Sequence, residues 1–395
     1  MDKTQLIEMA KRHLDHVKAG TVDQAPGIYR VPAENYFDPD RWQREVEQIF
    51  KRLPLVLGFS CELREVGDYR SLEVADVPIL LTRVADGGVR AFLNVCSHRG
   101  AAVVPEGSGS ARRFSCPYHA WTYDNEGALV GIRKEGDFGD VDRSCLGLTP
   151  LAVAERAGII FALLSPRAEF DVDAYLCGYD ELLVHHHLES CHLVGRQSVK
   201  GPNWKVAYDG YLDFYHLPIL HRESFGAEMP SDALYDAWGP HQRVSMPSSA
   251  YLGLEKMPEE EWDPQALIAG VWTIFPHVSI ADFDAGGKVY MVSQLFPGAN
   301  ADESITIQNF LATSAPDQER QERIEGLMKF LEHVVRDEDY FVGNLIQKSV
   351  KTGAKPEFLF GRNEAGGQRF HQWVNALLNT EDDQLPGLFA KGIEI

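Results

Sequence analysis

Two short clusters of cysteine and histidine are the residues of this sequence best suited to do chemistry. Cys96 and His98 occur as Cys-Ser-His, and Cys116 and His119 occur as Cys-Pro-Tyr-His. Each cluster offers one thiolate and one imidazole. A [2Fe-2S] centre with two cysteines on one iron and two histidines on the other needs that division of ligands. The two clusters therefore predict a site that passes electrons.

A structural zinc site is the alternative for the same four ligands. Zinc fingers usually group cysteine with cysteine and histidine with histidine, whereas both halves of this motif are mixed. Gly100 and Pro117 favour turns after the first histidine and within the second loop. Tyr118 and Trp121 can shield a cluster from water. These features favour the iron-sulfur cluster over zinc.

A second constellation lies downstream of the first. Asp209, Asp213 and His216 stand at i, i+4 and i+7, so they would share one face of a helix. His221 would lie about 140° further round an ideal helix than His216. Pro218 would interrupt the helix between them and let the two imidazoles converge on one metal. Two imidazoles and one carboxylate form the facial triad of mononuclear non-haem Fe(II) oxygenases, which leaves positions open for O₂.

The carboxylate ligand of this triad must come from elsewhere in the chain. Asp339, on a late predicted helix, is the first choice, and Asp337 and Glu338 are the alternatives. Asp213 lies one turn before His216, where it can accept the ring N–H and fix the tautomer. The predicted iron ligands are His216, His221 and Asp339.

An N-terminal segment and two domains are expected to position these residues. Helical spacing of apolar residues predicts that residues 1–44 form a helical segment packing on the catalytic domain. Short β-type runs divided by turn residues predict a small all-β domain over 45–165, from which the metal loops project. Strands followed by long helices at about 208–218 and 316–350 predict an α+β domain over 166–395. In that domain, helices would wrap an antiparallel sheet.

Apolar side chains near the predicted ligands, or on strands facing them, are candidates for a substrate pocket. The strands are predicted at 271–280, 288–296 and 304–312. His277 is a polar residue among these apolar strands and could meet a polar group of the substrate. The candidate pocket residues are Phe214, Leu217, Phe225, Trp272, Ile274, His277 and Phe283. Ordinary core packing is the alternative for about half of them.

Composition and charge exclude several classes of function. The formal net charge of −20 opposes binding to a phosphate backbone, so we expect no nucleic-acid partner. No apolar run reaches the roughly 18 residues of a membrane-spanning helix, and no charged-then-apolar secretory signal is present. We therefore expect a cytoplasmic protein without membrane contact, in which the cysteines outside the cluster are reduced thiols.

Basic residues are locally enriched around the first metal motif, against this acidic background. They are Arg99, Arg112, Arg113, Arg133 and Lys134. The hypothesis is that they form a docking patch for an acidic electron donor, and solvated loop charges are the alternative.

The sequence resembles the catalytic α-subunits of the Rieske non-haem iron ring-hydroxylating oxygenases from about residue 30 to 390. The matching motifs, in chain order, are Cys96-x-His98-Arg-Gly, Cys116-Pro-Tyr-His119, Asn203-Trp-Lys, Asp213-x-Tyr-His216-x₄-His221, and Glu338-Asp339 with Gln347. The resemblance implies a catalytic domain of helix-grip type. It also implies that Cys96, His98, Cys116 and His119 bind the cluster and that His216, His221 and Asp339 bind the iron.

The resemblance further implies a terminal oxygenase of a multicomponent enzyme. An NAD(P)H-dependent reductase, acting directly or through a ferredoxin, would supply electrons, because this sequence has no dinucleotide-binding fingerprint. With O₂, a small aromatic or cyclic substrate would undergo cis-dihydroxylation or monooxygenation, as in aromatic catabolism. The alternatives are oxidative N- or O-demethylation in the same family, and a Rieske electron carrier with a non-catalytic ligand-binding domain.

The resemblance also implies an oligomeric assembly, which is either a homotrimer or a trimer with a separate β-subunit. The cluster of one chain would then serve the iron of the next. Asp213 would bridge the two sites by accepting hydrogen bonds from His216 and from His119 of the neighbouring chain. Asp209 is the other candidate catalytic residue, because a polar group near the iron is either missing or supplied by Asp209 or Tyr211.

Overall fold

The structure, a computed structural model, describes residues 3–393 and divides into two compact units. The smaller unit consists of Phe50–Val172 and Leu188–Ser190. The larger unit contains the chain up to Ile49, Asp173–His187, and the chain from Cys191 onward. The domain boundaries predicted at residues 45 and 166 stay predictions. None of the helices in the described part of the chain has both the length and the apolar character that crossing a bilayer needs.

The smaller unit is built from antiparallel strands, as predicted. A five-stranded sheet has the order Pro150–Leu151, Val89–Leu93, Val77–Arg83, Asp68–Val74, Gly107–Ser110. One three-stranded sheet has the order Val153–Arg156, Ile159–Ala162, Leu55–Phe59, and the other the order Arg113–Ser115, Thr122–Asp124, Leu129–Gly131. The 3-10 turns of this unit are Ser60–Glu62, Glu135–Phe138, Arg143–Cys145 and Leu188–Ser190.

The larger unit is organised around one seven-stranded antiparallel sheet. Its order is His192–Gly201, Ser304–Ala312, Lys288–Pro297, Val278–Asp284, Val271–Ile274, His241–Ser245, Leu234–Trp238. The single strand predicted over 271–280 is wrong, because the chain turns at Phe275 and Pro276 and continues as a second strand. Proline has no N–H to give to a sheet ladder, so it ends the first strand there. A two-stranded sheet pairs Tyr29–Pro32 with Glu357–Phe360.

Helices surround this sheet and confirm the α+β class. The α-helices are Thr4–Ala19, Pro39–Glu45, Val172–Leu176, Asp180–Leu183, Trp204–Asp209, Leu217–Leu220, Pro264–Leu267, Gln318–His333, Tyr340–Val350, Ala365–Leu378 and Leu385–Lys391. Segments of π-helix are Val46–Phe50 and Val334–Asp339. The 3-10 turns are Ala33–Tyr36, Val184–His186, Ser249–Lys256, Glu259–Glu261 and Asp382–Gln384.

The N-terminal segment is held to the larger unit by buried polar contacts. Arg12 Nη2 donates to Asp236 Oδ1 at 2.8 Å. Glu45 is fully buried and accepts hydrogen bonds from Lys205 Nζ and, at 2.9 Å, from Trp204 Nε1. Removing one partner of the buried Glu45–Lys205 pair would leave an uncompensated charge, so this pair fixes the segment against the helix Trp204–Asp209.

Candidate metal sites

The two cysteine–histidine loops of the smaller unit have the same backbone construction. Cys96 N donates to the carbonyl of Ala101, five residues on, and Cys116 N donates to that of Trp121, also five residues on. In both loops the residue four after the cysteine donates back to the cysteine carbonyl and has a positive φ, 75° at Gly100 and 58° at Ala120. Each turn therefore folds around its cysteine, and alanine tolerates a conformation that glycine adopts more readily.

The donor atoms of these loops fit a [2Fe-2S] cluster. The Nδ1 atoms of His98 and His119 are buried and make no hydrogen bond, although their ring centroids lie only 4.6 Å apart. Cys96 and Cys116 are buried free thiols. Buried imidazole nitrogens without partners are costly unless something binds them. Burial and the neighbouring His98, Arg99 and Arg133 lower the pKa of His119, which favours the neutral ring that a metal needs.

Aromatic rings enclose this donor set. The Trp121 ring stacks on His98 with a centroid distance of 4.9 Å and an interplanar angle of 7°. Tyr123 Oη lies 3.3 Å from Cys96 Sγ and accepts the N–H of Ser97 at 3.0 Å. Burial and Cys96 raise the pKa of Tyr123 to about 12, so the hydroxyl stays protonated and can donate to the sulfur. Sequence reasoning missed Tyr123, because no motif spacing marks it.

The second site follows a break in the predicted helix rather than one continuous helix. The prediction of a helix over 208–218 is wrong, since the helix Trp204–Asp209 ends and a short helix Leu217–Leu220 begins after a turn. The Asp213 carboxylate accepts the backbone N–H of His216 at 3.2 Å and so starts the new turn. Pro218 occupies the first turn of the short helix, where its missing N–H costs nothing.

Three predicted iron ligands come together in the larger unit. One ligand atom from each of His216, His221 and Asp339 lies within 4.8 Å of the others. Asp339 Oδ1 is 3.2 Å from His221 Nε2 and 3.7 Å from His216 Nε2. Both Nε2 atoms thus face the same carboxylate, which is the donor set of a 2-His-1-carboxylate iron site. The residues present therefore fit the metal that the sequence predicts.

The opposite nitrogen of each imidazole is held by a further carboxylate. Asp213 Oδ1 lies 3.2 Å from His216 Nδ1, and Glu338 Oε2 lies 2.6 Å from His221 Nδ1. Ser224 Oγ fixes Glu338 with a hydrogen bond of 2.8 Å. Burial opposes the charged form of His221, but Asp339 and Glu338 outweigh burial and raise its pKa. Both rings are therefore oriented with Nε2 toward Asp339.

The three acidic residues Asp337, Glu338 and Asp339 make different contacts. Asp339 and Glu338 face His221 from different sides, as described above. Asp337, the other sequence-based alternative, instead binds Arg336 and His333 on the surface. Arg336 and His333 lower the pKa of Asp337 to about 2. Glu338 and Asp339 lie in the π-helical turn Val334–Asp339, and turns of this kind recur at functional sites.

The metal-binding group opens into a cavity of about 390 Å³ with a mainly apolar lining. Four predicted pocket residues line it, namely Phe214, Leu217, Phe225 and Phe283. Three others do not. Trp272 and Ile274 alternate with Val271, which lines the cavity, so they face the other side of the sheet. His277 lies in the turn after that strand, with its ring centroid 4.8 Å from that of Phe296.

Asp209 lines the same cavity and is held from behind. Tyr36 Oη donates to Asp209 Oδ2 at 2.9 Å, and His371 Nε2 lies 2.9 Å from Asp209 Oδ1. Burial and the neighbouring Asp209 raise the pKa of Tyr36 well above its ordinary value, so its hydroxyl remains a donor. Tyr36 and His371 are far from Asp209 in the sequence, so sequence reasoning missed their hydrogen bonds to its carboxylate.

Both groups of predicted ligands lie in segments of the chain that match known protein families. Residues 54–142 match the model of the Rieske [2Fe-2S] domain, and residues 184–380 match that of the ring hydroxylating alpha subunit (catalytic domain). The chain therefore belongs to the Rieske non-haem iron ring-hydroxylating oxygenases, as a catalytic α-subunit. It is an oxidoreductase of a family that uses a [2Fe-2S] cluster and a mononuclear iron.

Relatives within the family act on different compounds. The carnitine monooxygenase oxygenase subunit of Escherichia coli K12 is 27% identical over 335 residues, which cover 82% of this chain and 85% of that protein. The glycine betaine monooxygenase oxygenase subunit of Chromohalobacter salexigens is 28% identical over 62% of this chain, and the match spans about half (54%) of that relative. Naphthalene 1,2-dioxygenase from Rhodococcus sp., bound to indole, shares the fold with a TM-score of 0.74 at 22% identity, over 95% of this chain and 98% of that one.

Proposed function

We propose that this chain is the terminal oxygenase component of a multicomponent enzyme that hydroxylates a small, mainly apolar ring compound with O₂. The observation that carries the proposal is the convergence of His216, His221 and Asp339 at a cavity with a mainly apolar lining. The Rieske carrier without catalysis would need this convergence to be coincidental. The cytoplasmic location stays a prediction from the sequence.

The overall reaction needs two electrons and two protons for each O₂. Monooxygenation gives one hydroxyl group and one water, and cis-dihydroxylation places both oxygen atoms on the ring. Iron held by the three ligands would provide open positions for O₂, and the cluster would deliver the electrons singly. The chain's own residues orient the imidazoles, exclude water with apolar walls, and place the Asp209 carboxylate at the cavity.

The electrons would come from an NAD(P)H-dependent reductase, directly or through a ferredoxin. The basic residues around the cluster loops support a docking role. Arg99, Arg112, Arg113, Arg133 and Lys134 are all exposed, in a chain with a net charge of −20. Such a local patch would attract an acidic donor protein and steer its approach.

The proposal includes a homotrimer, with or without a separate β-subunit, in which Asp213 links the cluster of one chain to the iron of the next. His216 uses only Oδ1 of Asp213, and the Asp213 side chain is 21% exposed. The second carboxylate oxygen thus remains for His119 of a neighbouring chain. Tyr215 and Ile219, beside the iron ligands, are 63% and 80% exposed, and these apolar side chains suit a contact surface.

Hydroxylation of an N-methyl group, followed by demethylation, is the second candidate. Two relatives are named as monooxygenases of carnitine and glycine betaine. The observation in its favour is the charge at the cavity, which Asp209, Asp213 and Glu364 line together with Asp339. No lysine or arginine belongs to the described lining. A cationic substrate would therefore meet no repulsion.

Metal content and oxygen consumption test the proposal together. The chain should bind about three irons and two sulfides, and the His216→Ala variant should lose one iron and keep the visible absorption of the cluster. A surrogate reductase and NADH should support substrate-dependent O₂ consumption by the native chain only. Two irons per chain in the native protein, or equal O₂ consumption by the variant, would contradict the proposed function.

A further inference from the structure

One face of the seven-stranded sheet carries two neighbouring rows of side chains with opposite character. The apolar row contains Val244, Val271, Ala281, Met291 and Phe310. A polar row lies two residues away from the apolar row on each strand and crosses six strands. Each residue of this row is paired with the next one across the sheet. This row runs Gln242, Thr273, Ser279, Ser293, Gln308, Gln197. An unbroken polar row in the interior of a sheet is costly unless its groups are hydrogen-bonded.

The ends of the polar row are satisfied, but its middle is not. Gln197 Nε2 donates to Gln308 Oε1 at 2.7 Å, and Thr273 Oγ1 donates to the carbonyl of Gln242 at 3.2 Å. Ser279 Oγ, Ser293 Oγ and Gln308 Nε2 are buried without a hydrogen-bond partner. Each such group costs about 1–3 kcal/mol if nothing binds it. Three adjacent cases therefore point to an occupant.

A fourth unpaired donor lies over the same row. The Tyr211 hydroxyl is near those of Ser293 and Tyr340, yet it is buried and makes no hydrogen bond of ordinary length. Burial raises the pKa of Tyr211 to about 12, so its proton is present at neutral pH. Tyr211 and Ser279 line the cavity that also contains His216, His221 and Asp339. Tyr211 and Ser279 thus border the space next to the metal ligands, whereas Ser293 and Gln308 follow Ser279 in the row and are not part of the described lining.

The charged residues that line the cavity restrict which chemical groups a bound ligand can place there. Asp209 and Glu364 line it, and burial together with the neighbouring Asp213 and Asp209 raises the pKa of Glu364. No lysine or arginine is part of the described lining, so a carboxylate ligand would meet no lysine or arginine there and would face the like charges of Asp209 and Asp213. A quaternary ammonium group has no acceptor atom and would leave the hydroxyl donors of Tyr211 and Ser279 unpaired.

We propose that Tyr211 and Ser279 form a subsite for an uncharged hydrogen-bond-accepting oxygen of the substrate. The substrate class is then a small ring compound with one carbonyl, ether or hydroxyl oxygen, whose apolar part lies along the apolar row. The inference rests on the proposed oxygenase function, because it names the substrate class of that site. The two residues fix the ring relative to the metal ligands and do not take part in bond breaking.

Binding of two nearly isosteric probes to the holoenzyme tests this subsite. Acetophenone carries an acceptor oxygen, ethylbenzene lacks it, and benzoate carries the same kind of oxygen with a charge. Calorimetry or ligand-detected NMR gives the ratio of the ethylbenzene to the acetophenone dissociation constant. We expect the Ser279→Ala variant and the Tyr211→Phe variant to lower this ratio about three- to tenfold. Benzoate should bind more weakly than acetophenone.

Ser304 provides a matched control. Its hydroxyl is also buried without a partner on a strand of the same sheet, but Ser304 does not line the cavity. The Ser304→Ala variant should keep the native ratio. An unchanged ratio in both cavity variants, an equal fall in Ser304→Ala, or no binding of either probe would overturn the subsite. Ordered water would then be the only occupant of these donors.

Parallel measurement of O₂ consumption separates this inference from the proposed function. The His216→Ala variant should lose O₂ consumption and keep the native ratio of dissociation constants. Should the native chain consume no O₂ while the ratio responds as expected, the proposed function fails and the subsite stands. Should O₂ consumption be normal while the ratio does not respond, only the subsite fails.

Discussion

At the scale of single residues, the iron site is defined by which atom each carboxylate meets. Glu338 and Asp339 are adjacent in sequence, yet they face the Nδ1 and Nε2 atoms of the same His221 ring. Asp213 has the equivalent relation to His216 Nδ1. Carboxylates on the far nitrogens fix the ring orientation and raise the basicity of the ligating nitrogens. These carboxylates therefore set the orientation of both imidazoles.

Replacing Glu338 with glutamine should weaken iron binding without disturbing the cluster. The carboxylate that meets His221 Nδ1 at 2.6 Å would be lost, and such supporting groups typically contribute 10- to 100-fold in metal affinity. Iron retained after dialysis against a chelator measures the effect. The Asp337→Asn variant, which changes an exposed carboxylate one residue away, is the control. Equal iron retention in the two variants would contradict the assigned role of Glu338.

Replacing Asp213 with alanine should leave both metals bound and reduce turnover on the order of 100-fold. The proposed reason is that Asp213 joins His216 to His119 of the neighbouring chain. Iron content, the visible spectrum of the cluster and substrate-dependent O₂ consumption measure the three effects separately. Full activity with both metals bound would refute the bridging role.

At the scale of elements, the wide turn Val334–Asp339 decides where the late carboxylates lie. The helices Gln318–His333 and Tyr340–Val350 flank it directly. A π-turn holds an extra residue compared with regular α-helix, and each residue of an α-helix turns the chain by about 100°. Removal of one residue would thus rotate Asp339 relative to the helix before it.

Deleting Arg336 should abolish binding of the mononuclear iron, because Asp339 and Glu338 would no longer both reach His221. The Arg336→Ala variant keeps the length of the turn and should bind iron normally. The iron-to-sulfide ratio and the far-ultraviolet circular dichroism measure metal loss and helix content. Normal iron content in the deletion variant would show that the turn has no such role.

At the scale of the whole molecule, several neutral histidines are buried in the larger unit. Burial lowers the pKa of His13, His186 and His277 to about 3 and that of His241 to about 4. His241 Nδ1 accepts the N–H of Phe275, so it has no place for a second proton. The unfolded chain takes up these protons near pH 6.5, whereas the folded chain does not.

Stability should therefore fall as the pH drops below 6.5. The stability that each buried histidine contributes is complete above pH 6.5. Below that pH, the free energy of unfolding falls by about 1.4 kcal/mol per pH unit for each such histidine, until the pH reaches the pKa of the folded state. Urea midpoints at pH 7 and pH 5 measure the slope. The His241→Gln variant should be less stable at pH 7 but should show a smaller slope. Identical slopes would contradict this origin.

The basic patch around the cluster should govern the reaction with the electron donor. The Arg113→Glu variant should slow donor-dependent turnover several-fold at low salt and should lose much of the salt sensitivity. Arg167→Glu makes the same charge change at an exposed position of the same unit, outside the patch. Equal behaviour of the two variants would sink the docking hypothesis.

Much of the fold and of the metal chemistry could be predicted from the sequence. Alternating runs predicted the all-β unit, and long helical periodicity predicted the late helix, since these patterns reflect local geometry. The predicted helix across Asp209 and His216 failed because the side chain of Asp213 starts a new turn. The assignment of Trp272 and Ile274 to the pocket was wrong. Alternation along a strand does not say which side of the sheet faces a cavity, and these two residues lie on the opposite side.

The sequence by itself determined the ligand types, because Cys-x-His and Cys-x-x-His bring their donors together through short loops. It also predicted His216 and His221 as iron ligands, because they are close in the chain. Only the tertiary structure decided that Glu338 supports His221 and that Tyr36 and His371 hold Asp209. It alone aligned Ser279, Ser293 and Gln308 in one row. These contacts join residues from different strands and helices, and packing rather than local spacing sets such distances.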